Sequence, residues 1–141
     1  MAQSSSTFTA SSGNGYELQM GRWSRQLAGQ FIDFAGLDDG GLILDAGCGT
    51  GALSVELVRR TETAEITGVD ISPEYVAYAG AQIAEVRVSF ETGDLTALGF
   101  ADATFDQGLS MLVLHFVPDT AGAVGKLVRV AKPGARVSAT V

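Results

Sequence analysis

Three glycines and two acids stand at spacings that suit a nucleoside. Gly47, Gly49 and Gly51 follow Asp45 in the run Asp45-Ala46-Gly47-Cys48-Gly49-Thr50-Gly51, and Asp70 lies 19 residues past Gly51. Glycine there lets the backbone turn sharply from a strand into a helix and lets a ligand approach with no Cβ in the way. The ligand then sits over a helix amino terminus, and an acid at the tip of the following strand can accept both hydroxyl hydrogens of a ribose. Taken alone, the triplet also reads as a plain strand-to-helix turn, with Asp45 as a residue that caps it. Asp45 could equally face a cationic ligand group. Gly47 to Ala52 satisfies the dinucleotide pattern as well, so NAD stands as a rival ligand and a nicotinamide-dependent oxidoreductase as a rival activity.

The elements around these residues are readable from pattern. Leu42-Ile43-Leu44-Asp45-Ala46 is a short apolar run of the kind a buried strand shows, and Ala52 to Arg60 carries Leu53, Leu57 and Val58 on one helical face. Ile66 to Asp70 reads as the second strand, and Ser72-Pro73 as the cap and first turn of a helix running to about Glu85. Val86 to Phe90 reads as a third strand and Phe105 to Leu109 as a fourth. A helix from Pro118-Asp119 through Ala131, stopped by Lys132-Pro133-Gly134, leads to a fifth strand over Arg136 to Val141. Ahead of all this, Leu18, Met20, Trp23, Leu27, Phe31 and Phe34 recur at helical spacing, which predicts an amphipathic helix with Met20 and Trp23 facing the core. Strands alternating with helices of this length predict an α/β fold with a mainly parallel sheet covered on both faces.

Composition narrows the function. With 46% of 141 residues hydrophobic and 18% charged, the chain suits one globular domain. The net charge is −7, and no basic stripe is present, so nucleic acid is not an expected partner. The single cysteine, Cys48, precludes an internal disulfide and has no second metal ligand beside it; no metal site is expected and the cytoplasm is the default compartment. Residues 1–15 are rich in Ser, Thr and Gly and read as a flexible tail without the marks of a secretory signal. No apolar run approaches the ~18 to 20 residues that span a bilayer.

Leu44 to Gly51 resembles the first motif of the class I S-adenosylmethionine-dependent methyltransferases, and Gly68-Val69-Asp70-Ile71-Ser72 resembles the second. Gly93-Asp94-Leu95, the strand Phe105 to Met111 and the turn Arg129 to Ala135 match later positions in the same order. The likeness covers about residues 41–141 and is closest to the small-molecule enzymes of the family. It implies a Rossmann-like three-layer αβα sandwich, with residues 16–40 as a leading helical segment and linker and 41–141 as the cofactor-binding core. The family's sheet normally continues by two strands, so a sheet truncated after the fifth strand is expected. That strand would then be an exposed edge, open to a homodimer.

The resemblance implies S-adenosylmethionine as cofactor, with the backbone of Gly47, Cys48, Gly49 and Gly51 against its amino-acid portion. Asp70 would hold the ribose, Ile71 would pack on adenine, and Asp94 and the Leu95 amide would meet the adenine edge. Ser110 and Met111 would lie near the sulfonium. Tyr16 and Arg22 sit on the leading helix, which in relatives often folds over the pocket; a core-facing role is equally open to them. His115, the only histidine, follows the fourth strand, where relatives place residues that meet the acceptor. It is a candidate general base, because an imidazole exchanges protons near neutrality, and a histidine satisfied by local backbone is the other reading. The implied activity is direct methyl transfer to a small molecule. A binding or interaction module without turnover is the alternative.

Overall fold

The computed structural model describes residues 21–141. Five strands form one parallel sheet: β1 Leu42–Ala46, β2 Glu65–Asp70, β3 Val88–Thr92, β4 Phe105–Met111 and β5 Ala131–Thr140. Four helices accompany them: α1 Arg22–Ala35, α2 Ala52–Arg60, α3 Pro73–Gln82 and α4 Thr120–Val130. The order across the sheet is β3-β2-β1-β4-β5. Parallel strands need crossovers, and right-handed ones put helices on opposite faces when the chain reverses its direction across the sheet. One core accordingly joins α1 and α2 to the sheet through Phe31, Ile32, Leu53, Leu57 and Ile66. The other lies under α4 and includes Leu44, Val69, Phe105 and Leu127. The three-layer α/β sandwich expected from the sequence is the observed fold.

That strand order has a consequence for function. Connections leave β1 in one direction and β4 in the other, so the two carboxyl ends part and open a crevice between β1 and β4, where ligands bind in open α/β sheets.

The leading helix corrects one expectation. Ser24, Ala28, Phe31, Ile32 and Ala35 are its buried residues, whereas Trp23 is 67% exposed and Phe34 79% exposed. Trp23 is therefore not a core residue; Met20 lies outside the described residues. The physical reason is helical phase. Residues 24, 28, 31, 32 and 35 fall on one helical stripe, which seats Phe31 and Ile32 in the core with small side chains at 24, 28 and 35 beside them, and Trp23 and Phe34 lie off that stripe. Arg60 ties the same helix to α2 by donating to Asp33 Oδ1 at 2.6 Å and to the Gly29 carbonyl at 3.3 Å.

Strand β3 begins two residues later than the apolar run suggests, and α3 ends earlier, at Gln82. Pairing decides both. β2 holds β3 in register from Ile66↔Val88 to Asp70↔Thr92, which draws the polar Glu91 and Thr92 into the edge strand and leaves Val86 98% exposed. β5 begins at Ala131, and its pairing with β4 jumps from Phe105↔Ala131 to Gln107↔Arg136, so the residues around Pro133-Gly134 bulge out of the ladder. No helix among the described residues is long and apolar enough to cross a membrane.

Candidate functional site

A cleft of about 270 Å³ opens at the carboxyl ends of the strands. Its floor comes from the first strand–loop–helix unit: Asp45 ends β1, and Gly47, Cys48, Gly49 and Thr50 form the loop that enters α2. Gly49 has φ +53°, and a Cβ built on it would meet nothing within 4 Å, so the loop presents bare backbone to open space. Gly47 does the opposite job. With φ +78° it leaves room for Val113, whose side chain a Cβ at 47 would strike, so the loop can lie directly beneath the segment that follows β4.

The two acids are built in differently. Asp45 is fully buried. Ser54, in the first turn of α2, donates its hydroxyl to Asp45 Oδ2 at 2.6 Å, so the strand-end acid holds the start of the helix. Burial raises the Asp45 carboxyl to about 7, with the Ser54 bond opposing and the neighbouring Asp70 charge adding to the rise. Asp70 ends β2 and accepts from the Gly49 amide at 2.9 Å on Oδ2 and from the Ser72 amide at 2.9 Å on Oδ1. It too is raised, by burial first, against the pull of those amides. Each oxygen keeps a lone pair for a further donor. The Cys48 thiol is also pushed well up, mainly by burial and then by the charges of Asp45 and Asp70, so it is a small apolar wall and no nucleophile.

Ile71, Tyr75 and Leu95 line another side, and Met111, Leu112, Val113, His115, Phe116 and Val117 line the side above β4. Leu112 has φ +61°, a conformation that costs a branched side chain energy and so needs support. The support comes from β5: the Leu112 amide donates to the Thr140 carbonyl at 2.9 Å. The strained turn swings the chain across the cleft into the short helical turn Leu114–Phe116, where the His115 and Phe116 rings meet at a tilt of 40° with centroids 4.1 Å apart.

Among the residues singled out by sequence, Asp45, Gly47, Cys48, Gly49, Asp70, Ile71, Leu95, Met111 and His115 meet around this one cleft. Gly51 instead sits behind the loop as the residue before α2, against Ile83. Asp94 caps the turn Leu95–Ala97, accepting from the Thr96 amide and hydroxyl at 2.8 and 2.7 Å. Ser110 is fully buried with an unpartnered hydroxyl and is not part of the lining. Arg22 is exposed, and Ser24 represents α1 in the cleft. Tyr16 lies outside the described residues. Sequence reasoning missed Ser24 and Ser54. Each is a small polar residue on the buried face of an amphipathic helix, the one signal that could have marked them. No cluster of metal ligands occurs among the described residues.

The lining fits a cationic nucleoside ligand. A glycine loop with no side chain at Gly49 faces the cleft, the buried Asp45 and half-buried Asp70 stand in its wall, and the flanking wall of Ile71 and Leu95 is apolar enough for a base. A methyltransferase domain family model matches residues 44–139. The chain is 30% identical over 117 residues to a ubiquinone/menaquinone biosynthesis C-methyltransferase of Bdellovibrio bacteriovorus, covering 82% of this chain and 48% of that protein. It is 35% identical over 99 residues to norajmaline N-methyltransferase of Rauvolfia serpentina, covering 67% and 34%. Among solved structures, the [4+2]-cyclase SpnF superposes with TM-score 0.75 at 29% identity, over 82% of this chain and 43% of that one. The chain thus spans a third to a half of the length of these relatives. It belongs to the class I S-adenosylmethionine-dependent methyltransferases.

Proposed function

We propose that this chain binds S-adenosylmethionine in the described cleft and transfers its methyl group to a small molecule. The observation that carries the reading is Asp70, held by the Gly49 and Ser72 amides at the tip of β2 with its free lone pairs beside the glycine loop. Asp70 takes the ribose hydroxyls, Gly47 and Gly49 face the amino-acid portion with their backbone, Ile71 and Leu95 pack on the base, and Met111 lies toward the sulfonium. The cofactor supplies a methyl made electrophilic by the sulfonium. The chain's own residues supply alignment and exclusion of water, worth several orders of magnitude in rate without any triad or metal. The relatives are named as C- and N-methyltransferases, so the family leaves the acceptor atom open.

His115 lines the cleft beside the strained Leu112 turn and is the base in this reading. Single-turnover transfer from radiolabelled cofactor to an acceptor panel tests it. His115→Ala is expected to slow transfer by about 100-fold or more with cofactor affinity unchanged; an unaltered rate removes His115 from the chemistry. A second reading is supported by the likeness to a protein titled a cyclase: a domain that binds the cofactor without transferring from it. Saturable binding with no transfer to any acceptor would favour it, and preferential binding of NAD would favour the dinucleotide alternative.

The outer edge of β5 has no partner strand among the described residues. An unpaired edge is a template for a second chain, and we read it as a homodimer contact. Light scattering is expected to give a concentration-dependent mass above that of one chain; a clean monomer across the range would exclude the contact.

A further inference from the structure

We infer that the acceptor admitted by this cleft is an uncharged, flat apolar molecule, and that anionic acceptors are refused. The inference rests on the methyltransferase reading above and names the substrate class of the same site. Its first observation is the wall left over once the cofactor groups are assigned. Leu112, Val113, Phe116 and Val117 form an apolar rim interrupted by His115, whose ring meets that of Phe116 at a tilt of 40°. Such a rim packs against an aromatic or alicyclic face and offers no partner to a charged group.

The second observation is the placement of the nine basic side chains. Arg59 and Arg60 pair with Glu56 and Asp33, Arg129 with Asp102, Lys132 with Asp106 and Arg136 with Asp38, while Arg87 holds carbonyls at the end of α2. All six stand toward the amino ends of the strands, across the sheet from the cleft. Arg22, Arg25 and Lys126 lie on α1 and α4 and do not line it.

The third observation is the sign of what is buried. Among the described residues the carboxyl and basic side chains in the cleft wall are Asp45, Asp70 and His115, with no Lys or Arg beside them. A carboxylate or phosphate on the acceptor would enter a poorly screened space already holding two acids, with no guanidinium or ammonium side chain among the described lining residues to answer it.

Three probes of one shape test this: 2-naphthol, 2-naphthoate and 2-naphthyl phosphate, titrated by fluorescence into the chain loaded with S-adenosylhomocysteine. The naphthol is expected to bind saturably, and the two anions more weakly by on the order of tenfold or more. Phe116→Lys should narrow or reverse that preference while still binding S-adenosylhomocysteine, which verifies that it folds. Equal or tighter binding of either anion overturns the inference, and so does a loaded chain that binds no naphthol. Should the chain fail to bind S-adenosylhomocysteine, the methyltransferase reading falls by itself. The naphthol-over-anion preference measured on the unloaded chain then still upholds the rim's selectivity, or its absence overturns it.

Discussion

Asp70→Ala is expected to weaken S-adenosylmethionine binding by about 100-fold or more in a calorimetric titration. The reasoning starts from lone pairs. Two of the carboxylate's acceptor sites are already used by the Gly49 and Ser72 amides, which fixes the remaining ones in direction. Hydrogen bonds to a charged group contribute roughly 1.5–3 kcal/mol each. Losing two to a ribose diol therefore costs roughly 3–6 kcal/mol, which is at least the stated factor. The same change strips the Gly49 amide of its acceptor and loosens the loop, so a melt accompanies the titration. Asp70→Asn, which keeps one carbonyl oxygen for an amide, separates the two effects. A cooperative melt with binding lost supports the assignment. Affinity within about threefold of wild type would remove Asp70 from the site, because no ribose contact of this kind is that weak.

The second large effect is a pH dependence centred on Asp45. Its carboxyl ionises near 3.8 when exposed and near 7 when folded, because burial penalises the charge more than Ser54 relieves it. Between those values the unfolded chain holds fewer protons than the folded one. Stability therefore falls as pH rises from about 4 and stops falling above about 7, a total on the order of 4 kcal/mol for a group this buried. Asp70, raised in the same direction, adds to the slope, which is why the informative comparison is with Asp45→Asn. That variant keeps an acceptor for the Ser54 hydroxyl and should flatten the decline between pH 5 and 8. A cationic ligand works against the decline. It favours the ionised acid, so the stabilisation that S-adenosylmethionine gives wild type should grow as pH climbs through 7, and should grow less in the variant. Thermal melts with and without cofactor across pH 5 to 8 would show it; parallel curves for the two proteins would mean Asp45 is already ionised or never meets the charge.

These two expectations use residues on opposite sides of one loop, and their coupling is visible in the structure. Asp70 reaches the loop at Gly49, Asp45 reaches the helix that follows it at Ser54, and the loop amides of Gly47 and Cys48 both donate to the Val69 carbonyl. The glycine loop is thus tied to β2 at three amides and braced from β1 through α2 before any ligand arrives. Such preorganisation lowers the ordering cost of binding.

How much of this was legible in the residues follows from the range of the interactions. The glycine loop, the strand-tip acid and the capped start of α3, where Ser72 accepts from the Tyr75 amide at 3.2 Å, are local devices. Their residue types and spacing are legible because the turn and the cap are made by neighbours a few residues away, although the Asp70 to Gly49 bond spans 21 residues; the alternation of strands and helices does the same for the α/β class. What depends on which surfaces meet was out of reach. The phase of α1 was set by the stripe from Ser24 to Ala35 that carries Phe31 and Ile32, and not by Trp23 and Phe34. The limits of β3 were set by its register against β2. The roles of Ser24 and Ser54 exist only because helix faces that looked purely apolar turn a hydroxyl toward the strand ends. The rim above the cleft is the clearest case. His115 was legible as the lone histidine after the fourth strand, but its apolar neighbours from Leu112 to Val117 were not, and they line the cleft because β5 holds Leu112 in a left-handed turn through Thr140. The sequence by itself determined the fold class and the half of the proposed site made by the glycine loop and Asp70. The tertiary structure decided the acidity of Asp45 and the shape and charge of the cleft wall above β4, since both are sums over residues that only packing brings together.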